Sequence, residues 1–165
     1  MYCPFARFVM EKKQSQSLLL ALTLLNMYYS ILRVNRTALP EVAVLCEVME
    51  ELLAPRFIWV KGVYRWPNKD IAIKPDGSKG LSQAGVSHHW LVLRENPNII
   101  VDVSPVLALK DFETPLVVEQ QSGSDSRMFI GYFPHRDQSS TNVTTVTLNT
   151  VRVHMDELLR KIKIS

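Results

Sequence analysis

Cysteine is scarce: Cys3 and Cys46 are the only two in 165 residues. Two cysteines so far apart make neither a disulfide framework nor a zinc site, and a reducing, cytoplasmic setting is the expectation that follows. There is no Gly-rich phosphate loop and no His-Glu-x-x-His, so nucleotide and zinc-peptidase chemistry lack their motifs and no cofactor or metal is expected. Charge of one sign is lacking too. The nineteen Lys and Arg residues are dispersed, the net charge is only +3, and no basic stripe is interleaved with aromatics, which argues against a nucleic-acid partner. No uninterrupted apolar run reaches the roughly 20 residues of a membrane span. Leu18 to Leu25 follows Lys12 and Lys13 in the manner of a signal peptide, but no small-x-small cleavage site comes after it. Internal repeats and breaks in composition are also missing, so residues 1–165 are read as a single domain.

What remains is a chain of ordinary globular make-up, 47% hydrophobic and 21% charged, long enough to bury a real core. Leu18, Leu22, Leu25, Tyr29 and Leu32 recur at helical spacing and predict a core helix over about 15–33. A second helix is expected from Pro40, which suits a first turn, to Pro55, with Val42, Leu45, Cys46, Met49, Leu52 and Leu53 as its apolar stripe. Phe57 to Tyr64 is rich in β-branched and aromatic residues and reads as a strand. Residues 66–86 are polar, hold Pro67, Pro75, Asp76-Gly77, Gly80 and Gly85, and read as a long connection, either a rim over the site or an insertion. Val106 to Phe112 reads as a helical turn. Pro115 to Glu119, Met128 to Phe133 and Asn142 to Leu148 read as further strands, and Val151, Met155, Leu158, Leu159 and Ile162 define a C-terminal helix. Helices set before an antiparallel sheet mean an α+β fold.

The stretch that carries chemistry is Ser87-His88-His89-Trp90 to Val103-Ser104-Pro105. Glu95-Asn96-Pro97-Asn98 is turn chemistry, so the apolar runs on either side should return as an antiparallel pair. That pairing brings His88 or His89 near Asp102. An aspartate beside an imidazole fixes its tautomer and stabilises its charged form, the base-plus-orienter half of a nucleophilic triad. Parity decides which histidine is involved. If Arg94 pairs with Asn98, then His88, Trp90, Asp102 and Ser104 share a face, and a shift by one residue puts His89 in place of His88. Adjacent histidines on a strand face opposite ways, which counts against a shared metal ion.

His88-x-Trp90 on one strand, then an apolar strand carrying Asp102 and followed closely by Pro105, resembles the His and Asp segments of the transglutaminase-like branch of the papain-like cysteine enzymes. Val60-Lys61-Gly62-Val63-Tyr64 is similar to the glycine motif after that family's cysteine helix. The resemblance covers roughly residues 15–105. It implies a papain-like core and acyl transfer or amide hydrolysis by a Cys-His-Asp triad, here Cys46, His88 and Asp102. It also implies a peptide, protein or small amide ligand in a cleft near His88. The family's nucleophile is expected near Thr37 to Glu41, where no cysteine stands. Either the second helix starts late enough to bring Cys46 into play, or the scaffold survives as a binding module without its nucleophile.

Overall fold

The computed structural model describes residues 12–66, 69–73, 79–81, 88–104, 115–120, 131–138 and 145–164. The first helix, α1 (Lys12–Val34), buries Leu18, Ala21, Leu24, Leu25, Tyr28, Tyr29 and Leu32, a stripe at i, i+3, i+4 and i+7. It closes on a turn in which Thr37 N–H bonds the Leu32 carbonyl and Arg36 N–H that of Arg33. This is the paired arrangement of a Schellman cap, and it puts Arg36 at a left-handed φ of 51°. The second helix, α2 (Val42–Leu52), starts two residues after Pro40, with Glu41 as its N-cap.

Seven strands follow: β1 (Phe57–Trp66), β2 (Lys69–Ile73), β3 (Lys79–Leu81), β4 (His88–Leu93), β5 (Ile99–Asp102), β6 (Leu116–Glu119) and β7 (Gly131–Pro134). All their pairings are antiparallel, in the order β3-β2-β1-β4-β5-β6, with β7 also paired to β1. The fold is therefore α+β, with helices at both ends of the chain flanking one antiparallel sheet. A last helix, α3 (Thr145–Ile164), completes it.

The sheet is curled. Tyr132 on β7 bonds through its backbone N–H and C=O to the side-chain amide of Gln120 just past β6, at 2.8 and 2.7 Å. A side-chain amide thus does between β6 and β7 what a neighbouring backbone does elsewhere in the ladder. Alternation then sorts the side chains into two cores. Phe57, Leu91, Leu93, Ile99, Val101 and Val103 face the helices and pack with Leu24, Leu45, Cys46, Met49 and Met155. Trp90, Val92, Ile100 and Tyr132 fill the inside of the curl, with Ile58, Val60 and Val118 against them.

Gly62 makes the curl possible. It pairs with His88 on one side and Pro134 on the other. A Cβ there would run into the Phe133 carbonyl oxygen and lie 2.6 Å from Trp90 Cη2 and 2.8 Å from Pro134 Cα. Two of those neighbours are backbone, so they cannot swing aside. Gly62→Ala is expected to cost about 2 kcal/mol, in the range of overpacked cores, read as a lower urea midpoint at unchanged slope. An unchanged midpoint would show that β1 and β7 separate without cost.

Two expectations are corrected. The connection over residues 66–86 contains the hairpin β2–β3, which carried no signal because its pairing is of backbone groups and its residues alternate weakly between polar and apolar. The strand expected over Asn142 to Leu148 is helical from Thr145 onward. Leu148, Val151, Met155 and Leu159 lie on one packed stripe, and that tertiary burial outweighs the strand preference of Thr145, Val146 and Thr147. The helical turn expected over Val106 to Phe112, and residues 128–130 of the expected strand, lie outside the described residues.

Candidate functional site

The β4–β5 hairpin sets the site. Leu91 pairs with Val101 and Val92 with Ile100, so the same register, continued, puts Arg94 opposite Asn98. The Asn96 carbonyl accepts from Ile99 N–H at 3.0 Å, and the Asn96 side chain accepts from Asn98 N–H at 3.3 Å, an Asx turn that fixes the register. His88, Trp90 and Asp102 consequently face the inside of the curl, while His89 faces the other way.

His88 Nε2 lies 2.9 Å from Asp102 Oδ2, and both side chains are fully buried. The same Oδ2 accepts from the Tyr132 hydroxyl at 2.7 Å, and Oδ1 accepts from Ser104 N–H at 3.2 Å. Three donors on one buried carboxylate account for its survival without water, since an unpaired carboxylate there would be costly. Trp90 and Tyr132 pack edge to face at 5.2 Å, and the His88 ring lies 6.0 Å from Trp90 and 6.4 Å from Tyr132. The far nitrogen, His88 Nδ1, is buried and has no hydrogen-bond partner among the described residues. With Nε2 committed to Asp102, Nδ1 is the atom left to take or give a proton.

His89 lies across the strand from this pair. Trp59 Nε1–H donates to its Nδ1 at 3.0 Å, and Trp59 N–H in turn donates to Glu50 Oε2 on α2 at 2.5 Å. Burial first, then the positive charges of His88, Lys61 and His135, lower the His89 pKa to about 4. His89 is therefore a neutral imidazole whose Nδ1 must be the acceptor.

Cys46 stands apart. It is the fifth residue of α2, past the first turn where the helix dipole acts most. It is wholly buried in the helix-facing core with Leu45, Met49 and Leu91. Burial, then the negative charges of Asp102 and Glu50, push its thiol well above the ordinary range. The thiol donates nothing to His88 Nδ1. Thus, of the two histidines the turn left open, the register brings His88 to Asp102, whereas Cys46 packs in the helix-facing core.

Three participants were not singled out from the sequence. Tyr132 had no signal beyond an apolar run. Trp59 looked like an ordinary strand residue. Tyr29, placed only as a core residue of α1, donates to the Val103 carbonyl and so ties α1 to the residue after Asp102. Near it, Tyr29, Leu32, Arg33, Thr37, Ala38 and Leu39 line a cavity of about 150 Å³. Among the described residues, no group of three or more His, Cys, Asp or Glu side chains is arranged to hold a metal ion. By length and composition α1 could cross a membrane, yet it supplies much of the core.

Compared with protein-family models, curated proteins and solved structures, the chain matches none.

Proposed function

We propose that this chain is a binding module on a transglutaminase-like, papain-like core, one that keeps the His-Asp pair as a structural element and takes a peptide or small amide ligand. One observation carries the reading: the only described cysteine is wholly buried on the helix-facing side of the sheet with its pKa raised, so it lacks both the exposure and the thiolate character of a nucleophile. The resemblance puts the family's nucleophile near Thr37 to Glu41, and the cavity at Thr37 to Leu39 coincides with that place. Ligand binding at the old reaction centre is what such a scaffold would retain. We propose a cytoplasmic setting on the same grounds as the low cysteine content.

A second reading has one observation in its favour. Among the described residues His88 Nδ1 has no hydrogen-bond partner while Nε2 is held by Asp102, the arrangement in which one ring nitrogen is oriented by a carboxylate and the other can serve as base. The readings part in a transfer assay with a glutamine-containing peptide and hydroxylamine as acceptor. The binding-module reading expects no hydroxamate above the level of Cys46→Ala protein. Hydroxamate formation that disappears in Cys46→Ala would overturn it in favour of the enzyme.

A further inference from the structure

The strand order has two ends, and the chain treats them differently. β3, at one end, is three residues long and holds Lys79 and Gly80. Brevity and a lysine are common guards against the pairing of a further strand. β6, at the other end, is Leu116-Val117-Val118-Glu119 and holds neither lysine nor proline. Gln120 N–H donates to the Asn98 carbonyl on the β5 side, and bonded and non-bonded pairs alternate along an antiparallel ladder. Leu116 and Val118 therefore turn their backbone groups to β5, while Val117 and Glu119 turn theirs away. Those outward N–H and C=O groups have no hydrogen-bond partner among the described residues.

β7 does not fill the place, since it pairs with β1 and forms no ladder with β6. What links the two strands is the Gln120 amide, which gives Tyr132 N–H an acceptor and the Tyr132 carbonyl a donor. A peptide-like group thus already sits where a further strand would run, and beyond it, toward Val117, the edge continues unpaired. Val117 packs on the helix-facing core and Val118 on the inside of the curl, so a strand added here meets apolar neighbours on both faces. We propose that the outer edge of β6 takes an extended peptide as a further strand, bound through its backbone and rich in β-branched apolar residues. An extended backbone presents donors and acceptors at the spacing that Val117 and Glu119 require, and a strand covered on both faces is apolar on both. The inference concerns a different surface from the old reaction centre, and it stands whether or not Cys46 is a nucleophile.

The probe is the peptide Lys-Thr-Val-Val-Thr-Lys, acetylated and amidated at its ends, with lysines for solubility and for the charge of Glu119. Binding is read by amide hydrogen exchange in the intact chain. In the free protein Val117 and Glu119 are expected to exchange faster than Val118, whose N–H is held by β5. With the peptide present both should slow by about tenfold or more while Val118 changes little. The same peptide N-methylated at both valines loses a donor on each of its edges and should produce no slowing. Slow exchange of Val117 and Glu119 in the free, dilute protein would overturn the inference, because the edge would already be paired. Equal slowing with the methylated peptide, or none with either peptide, would overturn it too. Slowing that grows with protein concentration in the absence of peptide would assign the edge to a second copy of the chain, against the inference.

Discussion

Replacing Asp102 by alanine is expected to destabilise the protein by about 3 to 5 kcal/mol, the cost of removing one partner from a buried charged pair. The reason is geometric. One carboxylate receives His88 Nε2, the Tyr132 hydroxyl and Ser104 N–H, and all three lose their acceptor together in a place water does not reach. Tyr132→Phe removes a single donor from an acceptor that keeps its others, and should cost about 1 kcal/mol. The comparison is made by urea unfolding of the two variants beside the parent. If Asp102→Ala were no worse than Tyr132→Phe, the carboxylate would not be the centre of the network. The pair would then be better explained as a catalytic feature held at the expense of stability.

The second large effect is a dependence on pH that runs through His89. In the unfolded chain this imidazole titrates near its ordinary 6.5, and in the folded protein burial moves it to about 4. Between those values the unfolded state binds the extra proton and the folded state does not. Stability from this group is therefore complete above pH 6.5 and is lost as pH falls toward 4, by about 3 kcal/mol at ~1.4 kcal/mol per pH unit. Below 4 the group contributes no further slope. Protonated Nδ1 would also turn a donor toward the Trp59 indole N–H, which is itself a donor. His89→Gln removes the titration and keeps an acceptor within reach of Trp59. Denaturant midpoints of the parent should fall more steeply than those of His89→Gln between pH 7 and pH 4.5. Parallel slopes would mean that His89 is not neutral by burial.

Much of this arrangement was legible from the residues, and what was not has physical causes. All three helices followed from apolar spacing, because Leu18 to Leu32, Val42 to Leu53 and Val151 to Ile162 each hold one apolar stripe and a stripe has a period. The antiparallel return of the hairpin followed from Asn96-Pro97-Asn98, which put one of the two histidines near Asp102. The turn left the parity open and only the resemblance favoured His88; the register, Leu91 with Val101 and Val92 with Ile100, gives His88 as the partner. The β2–β3 hairpin escaped notice because paired backbone leaves no mark on a polar sequence. The start of α3 was misread since Thr145, Val146 and Thr147 prefer strands, while the packing of Leu148 and Val151 that decides their state is tertiary. Tyr132 joined the site only through the curl, when β7 was carried round to face β5. No local pattern in Gly131-Tyr132-Phe133 announces that. Cys46 was a case of two signals in conflict, its place on the α2 stripe pointing to the core and the resemblance pointing to a nucleophile.

The alkylation rate of Cys46 in native protein decides between those two signals directly. Cys3→Ser protein, which removes the other thiol, would be treated with iodoacetamide at pH 7 and the modification followed by mass against free cysteine under the same conditions. A wholly buried thiol in the core that also holds Leu45, Met49 and Leu91, with its pKa raised, should react far more slowly than free cysteine and reach the free rate only in denaturant. Labelling of the folded protein faster than free cysteine, and slowed by His88→Ala, would mean that Cys46 and His88 work as a nucleophile and its base, and the binding-module reading would be wrong.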